Sequence, residues 1–252
     1  MGTHTATAVA ARDAAFAAMT KGFRLVDLTE VLGPDSVMWP GAPAWSVEDV
    51  VTFDGGGYHA RMVHTFEHSG THLDAPGHLI PGAEDVASLP IDDLVVPVVV
   101  IDITHKAAQD SNATISREDV EAFEAAHGPI PAGSAVLMNS GWAARNHDVV
   151  LYSGTSTTTD LKFPGFGLDG AAALVERGVI GIGVDTLGID PGSEPTLPVH
   201  REITHPAGLW HLENLVNVDQ LPPTGAVLAV GVPRIHGGTG FPCRVFAFVP
   251  KN

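Results

Sequence analysis

Residues 95–103 read VVPVVVIDI, and this nearly unbroken apolar run decides the fold. A second run of the same kind, VIGIGV, follows at residues 179–184. Strands that are apolar along their whole length are typical of the centre of a sheet that is covered on both faces. The two runs therefore predict a central sheet with further layers of chain above and below it.

Shorter β-branched and apolar runs predict six more strands on either side of these two. These strands are Arg24–Leu28, Val47–Phe53, His59–Phe66, Ala135–Asn139, Ala226–Val232 and Arg244–Val249. Helices are predicted only at Ser116–His127 and Asp169–Arg177, each of which a glycine follows. Because strands outnumber helices, we expect one mixed, strand-rich α/β domain with few helices and not a regular doubly wound sheet.

The composition excludes several classes of protein. The chain has 252 residues, of which 44% are hydrophobic and 17% charged, so a disordered chain is excluded. A net charge of −16 argues against binding to nucleic acid or to an anionic membrane surface. No apolar run approaches the ~18 residues of a membrane span. The single cysteine, Cys243, fits a reducing compartment, and we expect a cytoplasmic protein.

The chain is expected to form one domain with an arm in front of it. Residues 1–22 are Ala-rich but lack the basic start and continuous apolar core of a signal peptide, so we interpret them as an N-terminal arm. Residues 23–252 contain no repeat and no flexible linker. The glycine-rich residues 237–240 are expected to form a surface turn, with a lining of the pocket as the alternative. An acidic, compact domain with such an arm favours a symmetric homo-oligomer, a dimer or tetramer.

Residues 68–78, HSGTHLDAPGH, are the segment most suited to chemistry. These eleven residues contain His68, His72, Asp74 and His78. The whole chain has 13 histidines, and this number alone does not explain why three of them lie so close together. Two imidazoles and a carboxylate form a mixed nitrogen and oxygen set that suits Zn²⁺, Mn²⁺ or Fe²⁺. We therefore expect a divalent metal ion at this segment.

The segment must turn if its histidines are to share an ion. On a straight strand His68 and His72 would lie ~13 Å apart, too far for metal–nitrogen bonds of about 2.0–2.1 Å. We expect a strand that ends near Glu67, a tight turn over residues 69–71, and a short helix that starts near Asp74. Such a helix would return His78 to the same face as Asp74.

The same segment resembles the H-x-G-T-H-x-D-x-P-x-H signature of the metal-dependent cyclase family, which includes bacterial kynurenine formamidase and isatin hydrolase. Later segments also resemble blocks of this family, and the likeness covers roughly residues 23–250. These segments are FPG at 163–165, GIGVDT at 181–186, LPVH at 197–200, LENL at 212–215 and DQLPP at 219–223. The N-terminal arm lies outside the resemblance.

The resemblance implies a metal-dependent hydrolase that cleaves an amide bond of a small aromatic substrate. That substrate would be a cyclic amide such as isatin or an N-formyl arylamine such as N-formylkynurenine. His68, His72 and Asp74 would hold the ion, Zn²⁺ or Mn²⁺, and His78 would be the acid–base residue. The resemblance further implies that His200 and Glu213, together with Asp74, hold a second ion.

The residues alone leave alternatives open. His205 and His211 lie near His200 and compete with it for the role of ligand, and His200 and Glu213 could also be surface residues. The aromatic residues able to stack on a substrate are Trp39, Trp45, Trp142, Trp210 and Phe166. A non-catalytic metal- or ligand-binding protein of the same fold, or a cyclase or dehydratase of secondary metabolism, remains an alternative. The presence of His78 favours the enzyme, because a structural metal site needs no additional base.

Overall fold

A nine-stranded mixed sheet runs through the described part of this computed structural model, which is residue 17 and residues 21–251. Most of the predicted N-terminal arm, residues 1–22, therefore lies outside the described residues. The strands are β1 (Phe23–Asp27), β2 (Ser46–Val51), β3 (Ala60–His64), β4 (His72–Asp74), β5 (Val95–Asp102), β6 (Thr114–Ile115), β7 (Ala135–Asn139), β8 (Gly165–Phe166), β9 (Gly181–Gly183), β10 (Trp210–Glu213), β11 (Ala226–Gly231), β12 (Gly240–Pro242) and β13 (Arg244–Pro250).

The order of the large sheet is β1-β13-β11-β5-β7-β9-β10-β4-β12. Its centre, from β5 through β7 and β9 to β10, is parallel, and the outer strands pair antiparallel. The apolar runs at residues 95–103 and 179–184 form β5 and β9, both inside this parallel centre. The predictions of a covered central sheet and of a mixed, strand-rich α/β fold are therefore confirmed.

Two helices of ordinary length lie where the sequence predicts them. The helices are α1 (Phe53–Gly56), α2 (Thr104–Ala107), α3 (Arg117–His127), α4 (Val149–Ser153) and α5 (Leu168–Glu176), and residues Val199–Thr204 form a π-helical turn. Helix α3 begins at a capping box in which Ser116 and Asp119 satisfy each other's backbone amides. The short helices were not predicted, because four or five residues are too few to show a helical period.

The two faces of the central sheet bury separate cores. Along β5, Val98 and Val100 contribute to one core and Val99 and Ile101 to the other, as expected from the two-residue period of a strand. Helices α3 and α5 cover the second core, which contains Val120 and Leu174. No helix among the described residues is long and apolar enough to cross a membrane.

The local structure of residues 68–78 differs from the expectation. Strand β3 ends at His64, and residues His72–Asp74 form a strand where a helix was expected to start. A 3₁₀ turn, Pro76–His78, begins only after them. The reason is long-range pairing: β4 lies between β10 and β12, and neither partner strand is visible in the local sequence. The predicted tight turn is present, and Gly70 adopts a φ of 55° in it.

Candidate metal centre

Strand pairing brings the candidate ligands of different segments together. In the register of β4 and β10, His72 lies opposite Glu213 and Asp74 lies opposite His211. His72 and Asp74 are two residues apart on β4, so their side chains point to the same side of the sheet. The site therefore forms at one buried place on the sheet, and His72, Asp74 and Glu213 are all less than a tenth exposed.

Asp74 is the centre of this group. Its Oδ1 lies 2.6 Å from Nδ1 of His68 and 3.1 Å from Nε2 of His72. Nε2 of His72 is in turn 3.5 Å from Oε2 of Glu213. The donor atoms of His72, Asp74 and Glu213 lie within 4.8 Å of one another, and so do those of a second group, His68, Asp74 and His78. Asp74 thus belongs to both sets of donors.

Hydrogen bonds on the far side of each ring fix which nitrogen faces the site. Nδ1 of His72 donates to the carbonyl of Gly70 at 2.8 Å, so Nε2 carries the lone pair in the neutral ring. Nε2 of His68 lies 3.1 Å from Oγ1 of Thr239, which donates its own proton to Glu67. Nδ1 of His68 therefore faces Asp74. Outer contacts of this kind are typical of metal-binding histidines.

A divalent ion fits this donor set. Nε2 of His72 is buried and makes no hydrogen bond to any described residue, because the Asp74 carboxylate, although near, lies in a poor direction for one. A buried nitrogen aimed at two carboxylates, with a second imidazole beside it, offers the mixed nitrogen and oxygen ligands of Zn²⁺ or Mn²⁺ sites.

The electrostatics of the group favour a cation. Burial alone would raise the pKa of Asp74, but the imidazoles of His72 and His68 hold it well below its usual range. Burial alone would lower the pKa of His72, but the Asp74 and Glu213 carboxylates raise it to about 9. The buried carboxylates of Asp74 and Glu213 therefore make the site strongly negative, and this favours the binding of a cation.

His200 and Glu213 also lie in this place and are both buried, which excludes the alternative that they are surface residues. Nε2 of His200 is 3.4 Å from Oε1 of Glu213 and 4.0 Å from Oδ2 of Asp74. Burial would lower the pKa of His200, but hydrogen bonds to Asp190 and Glu213 raise it to about 10. The structure therefore brings together all five residues predicted as ligands, although their coordination of an ion stays a prediction.

His78 stands beside the group and differs from it in charge. Its ring lies against the ring of His68, with centroids 3.8 Å apart, at the end of the Pro76–His78 turn. Burial lowers the pKa of His78 to about 4, while the Asp74 carboxylate opposes that change. The imidazole is therefore neutral near pH 7 and available to take up a proton.

An apolar cavity of about 380 Å³ opens onto these side chains. Its walls outside the ionisable residues are Val37, Met38, Trp39, Phe66, Gly70, Leu79, Leu187, Gly188, Pro195, Leu197 and Asn214. Of the aromatic residues considered from the sequence, Trp39 lines the cavity, whereas Trp142, Trp210 and Phe166 are buried in the core. A cavity of this size and polarity suits a small aromatic molecule.

Sequence reasoning missed two residues that orient the site. Oδ2 of Asp190 lies 2.5 Å from Nδ1 of His200, and Thr239 contacts His68. For the segment 237–240 a surface turn was favoured over a lining of the pocket, but Gly240 pairs with Asp74 and carries Thr239 into the site. No local pattern marks either residue, because each acts through a contact that only the sheet creates.

Comparisons with known proteins agree with this geometry. A family model named Cyclase matches residues 26–191. An isatin hydrolase of Roseibium aggregatum is 32% identical over 244 residues, which cover 90% of this chain and 92% of that protein. A kynurenine formamidase of Salinibacter ruber is 26% identical over 87% of this chain and 95% of its own length. A crystal structure of an isatin hydrolase bound to the product analogue thioisatinate has a TM-score of 0.87 and 30% identity, and covers 98% of this chain and 100% of its own.

Binding of a divalent ion at this group is expected to release protons at pH 7. The pKa of His72 is about 9, and an imidazole must be neutral to bind a metal, so the ion displaces a proton below that pH. Calorimetry of Zn²⁺ binding in two buffers with different ionisation enthalpies measures the number of protons released. We expect that number to fall towards zero above about pH 9, and a binding enthalpy independent of the buffer at pH 7 would contradict the assignment.

Proposed function

The chain belongs to the cyclase family, and we propose that it is a metal-dependent hydrolase that cleaves an amide bond of a small aromatic substrate. The observation that carries this proposal is the mixed group of imidazoles and carboxylates at the bottom of an apolar cavity. The similarity to isatin hydrolase and to kynurenine formamidase supports it, because both names describe hydrolysis of an amide of an aromatic compound.

We assign the binding of the catalytic ion to His68, His72 and Asp74. Each ring places a nitrogen near the Asp74 carboxylate, at 2.6 Å for His68 and 3.1 Å for His72, and a partner on the far side orients each of the two rings. Zn²⁺ or Mn²⁺ fits this set. When bound, such an ion supplies a Lewis acid for the amide carbonyl and lowers the pKa of water. Glu213 and His200 lie next to these ligands and are candidates to hold a second ion with Asp74.

We assign to His78 the uptake of a proton from the attacking water and its transfer to the leaving nitrogen. Its ring is half-buried in the cavity wall and neutral at pH 7, since its pKa is about 4. It lies against His68 and not between His72 and Glu213, so it remains free to face the substrate. The apolar walls, including Trp39 and Phe66, hold the aromatic ring and limit the access of bulk water.

The lining of the cavity favours an uncharged substrate. Among the described residues that line it, none is lysine or arginine, and the charged groups are those already assigned to the metal centre. N-formylkynurenine carries a charged amino acid group that would have no cationic partner here, and burial of an unpaired charge is costly. A neutral cyclic amide such as isatin has no such group. We therefore propose a neutral aromatic amide, with a cyclic amide ahead of N-formylkynurenine.

Activity towards these two compounds tests the proposal directly. Purified protein loaded with Zn²⁺ or Mn²⁺ is expected to open isatin with a higher kcat/KM than it shows for N-formylkynurenine. A chelator should abolish the activity, and added metal should restore it. Metal-loaded protein that hydrolyses neither compound nor simple arylformamides would contradict the proposed function and would favour a non-catalytic binding protein.

Substitution of His78 separates the acid–base role from metal binding. His78→Ala is expected to keep its metal content but lose turnover by at least about 10²-fold, because a positioned acid–base group contributes that much. His105→Ala, at an exposed histidine, is the matched control and should retain both properties. Loss of metal from His78→Ala would make His78 a ligand, and full activity would remove it from the mechanism.

An exposed apolar hairpin supports a homo-oligomer. Strands β2 and β3 pair only with each other among the described strands, and Val50, Met62 and Val63 on them are more than half exposed, as is Phe53 at the start of α1 between them. A two-stranded hairpin has little stability of its own in water. We propose that a second copy of the chain covers it in a symmetric dimer or tetramer.

We propose the cytoplasm as the compartment of the protein, because its single cysteine, Cys243, is buried and free.

The mass in solution tests this assembly. Light scattering on the wild-type protein is expected to give a multiple of the chain mass of 26.2 kDa. Phe53→Asp should shift the mass towards the monomer, because it places a charge in the covered apolar surface. Leu168→Asp, at an exposed leucine on α5, is the control and should leave the mass unchanged. A wild-type mass of 26.2 kDa would refute the assembly.

A further inference from the structure

Three histidines form a separate buried cluster behind the candidate metal centre. We call His200, His205 and His211 the histidine triad, and each of them is at most 3% exposed. One nitrogen of each ring lies within 4.8 Å of a nitrogen of the other two. The ring centroid of His200 is 5.3 Å from that of His205 and 4.5 Å from that of His211.

The π-helical turn Val199–Thr204 is what brings His200 and His205 together. The backbone amide of His205 donates to the carbonyl of His200, five residues earlier, at 3.2 Å. In an α-helix residues five apart point about 140° away from each other, whereas the wider π turn brings them closer to the same side. His211 reaches the same place from β10. Single π turns of this kind occur frequently at functional sites.

The hydrogen bonds of the triad determine where its protons are. Nδ1 of His205 lies 3.1 Å from the carbonyl of Leu209, which can only accept, so Nδ1 carries the proton and Nε2 the lone pair. Oγ1 of Thr204 donates to the carbonyl of Val199 at 2.9 Å. It must therefore accept the proton of Nε2 of His211, 2.8 Å away, which leaves Nδ1 of His211 with the lone pair.

Two buried lone pairs thus have no donor. Nε2 of His205 and Nδ1 of His211 make no hydrogen bond to any described residue. A buried acceptor without a partner is destabilising, and here two lie side by side. A metal ion between His205 and His211 would accept both lone pairs.

The third ring is prepared in the same way. Nδ1 of His200 donates to the Asp190 carboxylate at 2.5 Å, so Nε2 is the nitrogen that can face an ion. Each ring of the triad therefore donates its other proton to an oxygen: the carboxylate of Asp190, the carbonyl of Leu209 or the hydroxyl of Thr204. This arrangement is the one that orients metal-binding histidines and makes them better ligands.

We propose that His200, His205 and His211 form a second metal site, which takes a divalent ion that prefers imidazole, such as Zn²⁺. The site differs from the centre at Asp74, because all its protein ligands are nitrogens, a set that suits Zn²⁺ better than Mn²⁺. It goes beyond the proposed hydrolysis, since the triad does not line the cavity except through His200.

Binding requires a small change in one ring. The rings of His205 and His211 are stacked, with centroids 4.0 Å apart and planes 12° from parallel, so one ion cannot lie in both planes as they stand. His205 has the longer outer hydrogen bond, 3.1 Å against 2.8 Å for His211, and is the ring expected to turn.

The lone pair on Nε2 of His200 binds only one ion at a time, so the two possible positions of the second ion exclude each other. The second ion lies either with His205 and His211 or with Asp74 and Glu213, whose oxygens are 4.0 and 3.4 Å from Nε2 of His200. In the second case removal of His205 has no effect on the number of ions bound. In the first case it removes one ion and leaves the other at Asp74.

Titration of the full chain with Co²⁺ after treatment with a chelator tests the proposal. The readouts are the number of equivalents bound and the visible absorption of tetrahedral cobalt, neither of which requires substrate. We expect the wild-type protein to bind two equivalents and His205→Gln to bind one, with loss of part of the absorption. His105→Gln, at an exposed histidine, is the control and should match the wild type.

Thr204→Val is the second variant, and it keeps the size of the residue while removing the acceptor for His211. It should weaken the second equivalent by about 10–100-fold and leave the first unchanged. Two equivalents in His205→Gln with the wild-type absorption, or a single equivalent in the wild type, would overturn the proposal. If circular dichroism shows that His205→Gln does not fold, unchanged affinity for the second equivalent in Thr204→Val would overturn it.

Discussion

The carboxylate of Asp74 is buried between two imidazoles, 2.6 Å from His68 and 3.1 Å from His72, and the arrangement of the site depends on it. A buried carboxylate is stable only with opposite charge or hydrogen bonds around it. Strand β4 supplies one imidazole from its own start, and the turn at Gly70 supplies the other. Strands β10 and β12 hold β4 from both edges, so the sheet fixes the position of the charge. A divalent ion is the partner that this geometry suits best.

The sequence predicted the elements that local interactions form and missed those that depend on contacts between distant residues. Residues 95–103 and 179–184 and helix α3 were predictable, because apolar runs and a capping box are local signals. The strands His72–Asp74 and Trp210–Glu213 were not, because three or four residues become a strand only through partners far along the chain. The site residues follow the same rule. His68 and His78 could be found from their spacing in the sequence. Asp190 could not, because it acts through a contact with His200, ten positions away.

Four of the described histidines divide into two sets by their surroundings. His72 and His200 face carboxylates, which raise their pKa values to about 9 and about 10. His78 and His205 lie against other imidazoles, and burial lowers both pKa values to about 4. The carboxylates around the first set attract cations, and the second set provides neutral imidazoles that can accept a proton or a metal. A site for hydrolysis needs both kinds close together, and Trp39 and Phe66 line the cavity that opens onto them.

The central claim is that His68, His72 and Asp74 hold a divalent ion, and anomalous diffraction from crystals grown with Mn²⁺ tests it most directly. We expect a peak of anomalous density about 2.0–2.2 Å from Nδ1 of His68, Nε2 of His72 and a carboxylate oxygen of Asp74, with His78 outside bonding distance. An ion bound by His78 in place of His68, or no ion at Asp74 in metal-saturated crystals, would contradict the account.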